Sequence, residues 1–261
     1  MHPIDELVPV LKKLRLSGIL QTLDLRQKEV AEDDLSIPEF LYRVLNDEVE
    51  RRDAKQLELR LRRANFEHAR TLEDFEFQFN PTIPKARIID LATCNFVQRH
   101  ENCALVGPSG VGKSHIAQAL GHRACLLGHA VLYTTAQRLF ADLRAARADN
   151  SYDRRMLRYT TPDVLILDDL GLRPLCQDEP LDLYELIRQR YERGSLIVTS
   201  NRDIEEWYPL FGDALLASAA LDRFLHHAHV IEMKGRSYRR NLESGRLGAT
   251  AEPGTPRAEV A

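Results

Sequence analysis

Residues 103–114 read CALVGPSGVGKS: a short apolar run, a glycine-rich turn, and a polar pair that opens an amphipathic pattern running on from His115 to Leu127. Gly107, Gly112, Lys113 and Ser114 hold the fixed positions of G-x-x-x-x-G-K-[ST]. Glycines let a backbone wrap closely round an anion, and a helix N-terminus directs unpaired N–H groups at it. Gly107, Pro108, Ser109, Gly110, Val111, Gly112, Lys113 and Ser114 are therefore the candidate nucleotide cradle. Lys113 brings a positive charge to the β and γ phosphates, and the Ser114 hydroxyl offers a ligand to Mg²⁺.

A strand followed by a phosphate loop and a helix needs neighbouring strands, and four more apolar runs supply them. They are AVLYTT (130–135), VLILD (164–168), SLIVTS (195–200) and HVIEM (229–233), separated by helical patterns. Alternation of this kind predicts an α/β fold, a parallel sheet covered by helices on both faces. In such a sheet the functional groups gather at the C-terminal strand ends. Asp168 and Asp169 end the third run and Asn201 follows the fourth. Asp168 suits Mg²⁺ through water, and Asp169 is the candidate to orient the attacking water. The Asn201 amide is placed to hydrogen-bond the γ-phosphate or that water. No N-K-x-D run specific for guanine occurs, so ATP is the expected nucleotide.

The chain around this centre has 261 residues, 44% hydrophobic and 29% charged, a composition that excludes wholesale disorder, collagen-like repetition and a disulfide scaffold. Cys94, Cys103, Cys125 and Cys176 lie far apart without zinc-site spacing. With no signal-peptide pattern and no long apolar run, a cytoplasmic protein without a membrane anchor is expected. Residues 1–70 read as helices, the second opening at Ser36-Ile37-Pro38-Glu39 with the marks of a capping box. Residues 71–85, with Pro81 and Pro84, read as a linker. Its alternating Phe75, Phe77 and Phe79 have two readings, packing between domains and a place beside a nucleotide base. A helix over 86–99 opens the ATPase domain, 86–243, and the Gly-, Pro- and Ala-rich 244–261 is expected to be a disordered tail.

Net charge is −3, which excludes a uniformly basic DNA-coating protein. Segments differ: −5 over 1–50, +4 over 51–70, +3 over 138–158 and −7 over 159–231. In the first basic segment Arg51, Arg52, Lys55, Arg60, Arg62 and Arg63 decorate one helix. They are candidate phosphate contacts to duplex DNA, indifferent to base sequence. The competing reading is a solvated helix face.

GPSGVGKSHIAQALG, VLILDDLGLRPL, RYERGSLIVTSNRDIEEW, ALLASAALDRFLHHAHVIEMKGRSYR and TLEDFEFQFNP together resemble the IstB family, ATP-binding helpers of bacterial insertion sequences. That family is similar to the helicase loader DnaC and the initiator DnaA among the P-loop AAA+ ATPases. The resemblance implies an ATPase, with ATP and Mg²⁺ as cofactors, that oligomerises on target DNA and recruits or activates a transposase in DNA transposition. It implies Walker A at 107–114, Walker B at Asp168 and Asp169, sensor 1 at Asn201 and a trans-acting arginine finger at Arg223. Few residues follow Arg223, so the lid is reduced or absent, with Arg239 the candidate for sensor 2. An inserted helix in the DnaA and DnaC relatives faces DNA at the place of the second basic segment, which makes Arg144, Arg147, Arg154 and Arg155 further DNA candidates. Many AAA+ proteins carry Glu where Asp169 stands, so slow, partner-stimulated turnover is expected. A DnaC-like helicase loader and an ATP-gated DNA-binding scaffold are the rival readings.

Overall fold

The structure is a computed structural model that describes residues 3–33 and 35–238; Arg239 and the tail 244–261 lie outside the described residues. Contacts divide the chain into two compact units, Met1–Arg60 and Leu61–Ala261, so the division falls within a helix and before residue 70. The first unit holds α1 (Pro3–Lys13), α2 (Ser17–Asp33) and most of α3 (Ile37–Ala64). Ser36 begins α3 as its sequence suggests: its hydroxyl accepts the Glu39 N–H at 3.4 Å and donates to the Glu39 carboxylate at 3.3 Å. Leu11, Ile19, Leu23 and Val44 form a small core.

With so little apolar burial, polar groups fix the helix pairing. Gly18 lies against α3, where an added Cβ would stand 2.7 Å from the Glu48 Cα, and its N–H donates to Glu48 at 2.5 Å. Arg26 grips Asp47 through two hydrogen bonds of 2.9 and 2.7 Å. Hydrogen bonding to Arg26 holds the Asp47 and Glu29 carboxyls below their usual range.

In the second unit the expected helix over 86–99 is two, α4 (Lys85–Leu91) and α5 (Asn95–Gln98). Cys94 takes φ 59° between them, while the Thr93 hydroxyl donates to Asp90 O at 2.7 Å and ends α4 locally. The five strands are β1 (Cys103–Val106), β2 (Val131–Thr135), β3 (Val164–Leu170), β4 (Ser195–Ser200) and β5 (His229–Glu232). All pairings are parallel, in the order β2-β3-β4-β1-β5. Helices α6 (Lys113–Leu126), α7 (Ala136–Ala148), α8 (Tyr152–Thr160), α9 (Glu179–Arg190) and α10 (Ala214–Leu225) join the strands, with a 3-10 helix at Ile204–Phe211. β1 and β4 are buried along their whole length, which accounts for their near-continuous apolar runs. A large core of Leu139, Leu143, Leu165, Leu186, Trp207 and Phe224, among others, packs against the sheet.

The strand order places the site. With β3, β4 and β1 adjacent, Asp168, Asn201 and the loop after β1 come out side by side at one sheet edge. The buried Arg190 pins the opposite edge, donating to Tyr159 O, Asp163 O and Ser195 O at 2.9, 3.1 and 2.7 Å.

Candidate nucleotide site

The loop Gly107–Gly112 leaves β1 and delivers Lys113 to the first turn of α6. Three of its glycines lie in the left-handed region: Gly107, Gly110 and Gly112 have φ 141°, 83° and 103°. Each also lacks room for a side chain. A Cβ at Gly107 would collide with Met233 O, one at Gly110 with the Ser237 side chain, and one at Gly112 would stand 2.5 Å from the Phe75 ring. A side chain at any of the three would thus force both the loop and its surroundings to move.

Lys113 is nearly buried, and its ammonium donates to Gly107 O and Pro108 O at 2.8 Å each and to Asn201 Oδ1 at 2.6 Å. The end of β4 is thereby tied to the phosphate loop, bringing together two residues that the sequence keeps far apart. Ser114 donates to Asp168 Oδ1 at 2.9 Å. Asp168 also accepts from Thr199 on β4 and, at 2.7 Å, from the Tyr133 hydroxyl on β2. Burial and then the bond to Asp168 push the Tyr133 phenol well above its ordinary pKa, so Tyr133 stays protonated and donates to the carboxylate. Asp169 takes φ 59° and faces the cleft beside the loop.

The cleft encloses about 700 Å³. Ser109–His115 form its floor, with Asp169 and Asn201 at one end and Phe75, Phe79, Asn80, Ile83 and Tyr238 among its other walls. Of residues 71–85, expected as a linker, Asp74, Phe75, Glu76, Phe79, Asn80 and Ile83 line the cleft, while Phe75 also packs on Phe77 and Phe79 on Tyr238. His115 fastens this wall through Nε2 to Thr71 O at 2.8 Å; burial lowers its pKa and favours the neutral, donating ring. Phe75 packs edge-on against His115 at 5.2 Å.

The described residues after β5, 233–238, form no lid domain but fold back over the loop. Asn80 donates to Arg236 O at 2.9 Å and accepts the Arg236 N–H at 3.0 Å, while Thr82 donates to Lys234 O at 2.8 Å. The Tyr238 N–H donates to Gly110 O at 3.0 Å, and its ring meets Phe79 edge-on at 5.0 Å. Sequence reading missed Tyr133, Asn80, Thr199 and Tyr238 as parts of the site. The TLEDFEFQFNP block carried a signal for the wall but none for residues 234–238, which face it.

A triphosphate fits what is present: a loop closed to side chains, the N-terminus of a 14-residue helix, and a buried ammonium held at the floor. The paired oxygens of Ser114 and Asp168 are hard donors of the kind that suits Mg²⁺.

Other expected residues lie elsewhere. Arg223 on α10 is outside the cleft lining; it donates to Ala219 O at 2.6 Å and lies 5.7 Å from the centre of the Tyr184 ring. Arg144 bonds Glu179 at 2.8 Å, and Arg147 grips Asp182 with two bonds of 2.8 and 2.5 Å while stacking 4.5 Å over Tyr152. Burial opposes the ionisation of Glu179, but hydrogen bonds from Arg173 and the Cys176 N–H hold its carboxyl at about 2. Arg155 bonds Asp142 at 3.0 Å, and Arg154 is exposed. Three of these four arginines therefore have an intramolecular task. On α3, Arg52, Lys55, Arg62 and Arg63 are exposed and Arg51 and Arg60 half-buried. At about 100° per residue all six fall within one half of the helix circumference. Arg52 bonds Glu48 at 2.7 Å and Arg60 bonds Gln56 at 3.1 Å. Among the described residues no helix is long and apolar enough to cross a membrane.

Comparison with known proteins identifies the family. An ATP-binding protein in an insertion sequence of Mycobacterium tuberculosis is 44% identical over 237 residues, spanning 90% of this chain and 94% of the relative. The ATP-binding protein of insertion sequence IS21 from Pseudomonas aeruginosa is 38% identical over 256 residues, 98% of this chain and 95% of its own length. Among solved structures, AMPPCP-bound DnaA from Aquifex aeolicus matches with a TM-score of 0.55 at 18% identity over 71% of this chain and 56% of that one, a likeness of fold. Residues 9–245 match the family described as IstB-like ATP binding protein, and the chain belongs to that family.

Proposed function

We propose that this protein is an ATP-hydrolysing helper of an insertion sequence, which assembles on duplex DNA in its ATP state and recruits or activates the transposase of the same element. The observation that carries the reading is the convergence of Lys113, Asn201, Ser114 and Asp168 at one sheet edge, in a chain whose relatives are insertion-sequence ATP-binding proteins. That context favours a transposase over a helicase as the partner.

Each residue has a physical task. The 107–112 loop and the α6 N-terminus bind the phosphate chain, and Lys113 swings its charge from loop carbonyls to phosphate oxygens. Ser114, and Asp168 through water, would hold Mg²⁺, which would supply neutralisation of phosphate charge. Asp169 accepts a proton from, or orients, the attacking water, and Asn201 hydrogen-bonds the γ-phosphate end. Arg223, lying outside its own cleft, serves the cleft of a neighbouring copy, where its guanidinium offsets transition-state charge. ATP turnover is expected to be slow for the protein alone and to rise at least tenfold with duplex DNA and transposase. Turnover unmoved by either, in a protein that binds both, would leave only an ATP-gated scaffold.

For DNA, α3 is the stronger of the two basic segments, because Arg144, Arg147 and Arg155 already serve carboxylates of their own chain. Replacing Arg60, Arg62 and Arg63 by Gln is expected to weaken DNA binding without changing base preference. Three lost phosphate contacts would flatten the slope of log affinity against log salt by roughly 2–3. An unaltered slope in a salt titration removes this helix from the footprint.

A further inference from the structure

Asp168 and Asp169 sit where β3 leaves the register of its neighbour. Leu167 stands opposite Val198 and Leu170 opposite Ser200, so β3 carries one residue more than β4 over this step. A bulge of this kind bends the strand and re-aims a side chain. Asp169 absorbs the distortion with φ 59°, a conformation that Asp and Asn tolerate better than most residues.

Thr199 lies opposite the bulge and is fully buried. Its hydroxyl donates to Asp168 Oδ1, and the same oxygen accepts the Asp169 N–H at 2.9 Å. One side-chain oxygen therefore spans both acids, the first through its carboxylate and the second through its backbone. Ser200, the next residue, donates to Leu170 O at 2.7 Å and pins the exit of the bulge. β-branching restricts the Thr199 rotamer, so the oxygen is held in place by the strand itself. Asp168 keeps two other donors, Ser114 from α6 and Tyr133 from β2.

We propose that Thr199 is a positioning residue for ATP hydrolysis, fixing the bulge that aims Asp169 into the cleft. This rests on the hydrolytic reading above and adds to it the group that makes an aspartate competent where the strand would otherwise run straight. Thr199 does not line the cleft. It acts through Asp169, so its removal falls on the rate of the chemical step rather than on nucleotide capture, which depends on the loop, Lys113 and the doubly held Asp168.

The test compares Thr199→Val, which keeps the branched shape and loses the hydroxyl, with Thr199→Ser, which keeps the hydroxyl. Full-length protein is assayed with duplex DNA and transposase for kcat and KM. Binding of a fluorescent ATP analogue and its Mg²⁺ dependence are measured separately. Thr199→Val is expected to lower kcat by about 10–100-fold, the usual consequence of a misplaced reacting group, with KM, analogue affinity and Mg²⁺ midpoint within about threefold of wild type. Thr199→Ser is expected to restore most of the rate. A Thr199→Val rate within twofold of wild type overturns the proposal and leaves the hydrolytic reading standing. So does a Ser variant as slow as the Val one, or a loss of analogue affinity parallel to the loss of rate. Absence of turnover in the wild type under every condition removes the hydrolytic reading, and this proposal with it.

Discussion

Lys113→Ala is expected to lower ATP affinity by roughly 10²–10⁴-fold and to abolish nucleotide-dependent assembly on DNA. The ammonium is the one side-chain cation among the residues of the loop, and charge-assisted hydrogen bonds of the kind it makes to phosphate are worth about 1.5–3 kcal/mol each. Two such bonds set the size of the loss. The substitution also leaves Gly107 O, Pro108 O and Asn201 without their donor, so a thermal melt must accompany the binding measurement. Calorimetric titration with an ATP analogue on a folded variant gives the answer. Unchanged affinity there would contradict the assignment of 107–114 to the phosphates.

Arg223→Ala is expected to do the reverse: nucleotide affinity within a few-fold of wild type, with DNA-stimulated turnover lower by about 10³-fold, the range known for arginine fingers. Arg223 makes no contact with its own cleft, so its truncation costs that cleft nothing directly. A mixing experiment separates a trans role from simple damage. A subunit bearing Arg223→Ala keeps an intact nucleotide site, and one bearing Asp169→Asn loses the group that orients the water but still binds ATP, assembles and keeps an intact finger. Mixed oligomers of the two therefore contain some complete sites, and turnover should reappear when the inactive variants are combined. Full activity of the Arg223→Ala protein, or no recovery on mixing, would sink the trans role.

The phosphate loop was legible because its chemistry is contiguous: close backbone wrapping, a cation and a hydroxyl all have to fall within one turn and the start of one helix. The five strands were legible for a related reason, since a strand buried on both faces reads as an unbroken apolar run. What escaped was everything set by lateral neighbours. Tyr133 and Thr199 reach Asp168 from the strands on either side of it, and nothing in VLYTT or SLIVTS distinguishes those hydroxyls from ordinary core hydrogen bonds. Helix α2 was not separated from the helical pattern around it, because only Ile19, Leu20 and Leu23 meet the small core while Gly18, Thr22 and Arg26 bind carboxylates of α3. Charge counting is blind in a third way. It shows where arginines are dense but not whether carboxylates distant in sequence already hold them, as Glu179 and Asp182 hold Arg144 and Arg147.

The aspartate at 169, where the sequence resemblance led one to look for glutamate, acquires a physical reason. A left-handed backbone at position 169 disfavours most side chains, and Asp is among those it tolerates best. The shorter acid suits the bulge, whatever reach its missing methylene gives up.

The pairing of Asn80 and Thr82 with residues 234–236 joins segments about 150 positions apart, and β5 reaches β1 only near the end of the described chain. Loop closures of that span come late, after the entropy of the intervening chain has been overcome. Synthesis proceeds from the N-terminus, so the wall of the cleft meets its facing segment only after all five strands have been made. A nascent chain carrying a complete phosphate loop still lacks the contacts that shape its surroundings. The wall and floor of the cleft are therefore held together by contacts made across most of the described chain, and they take shape together rather than one after the other.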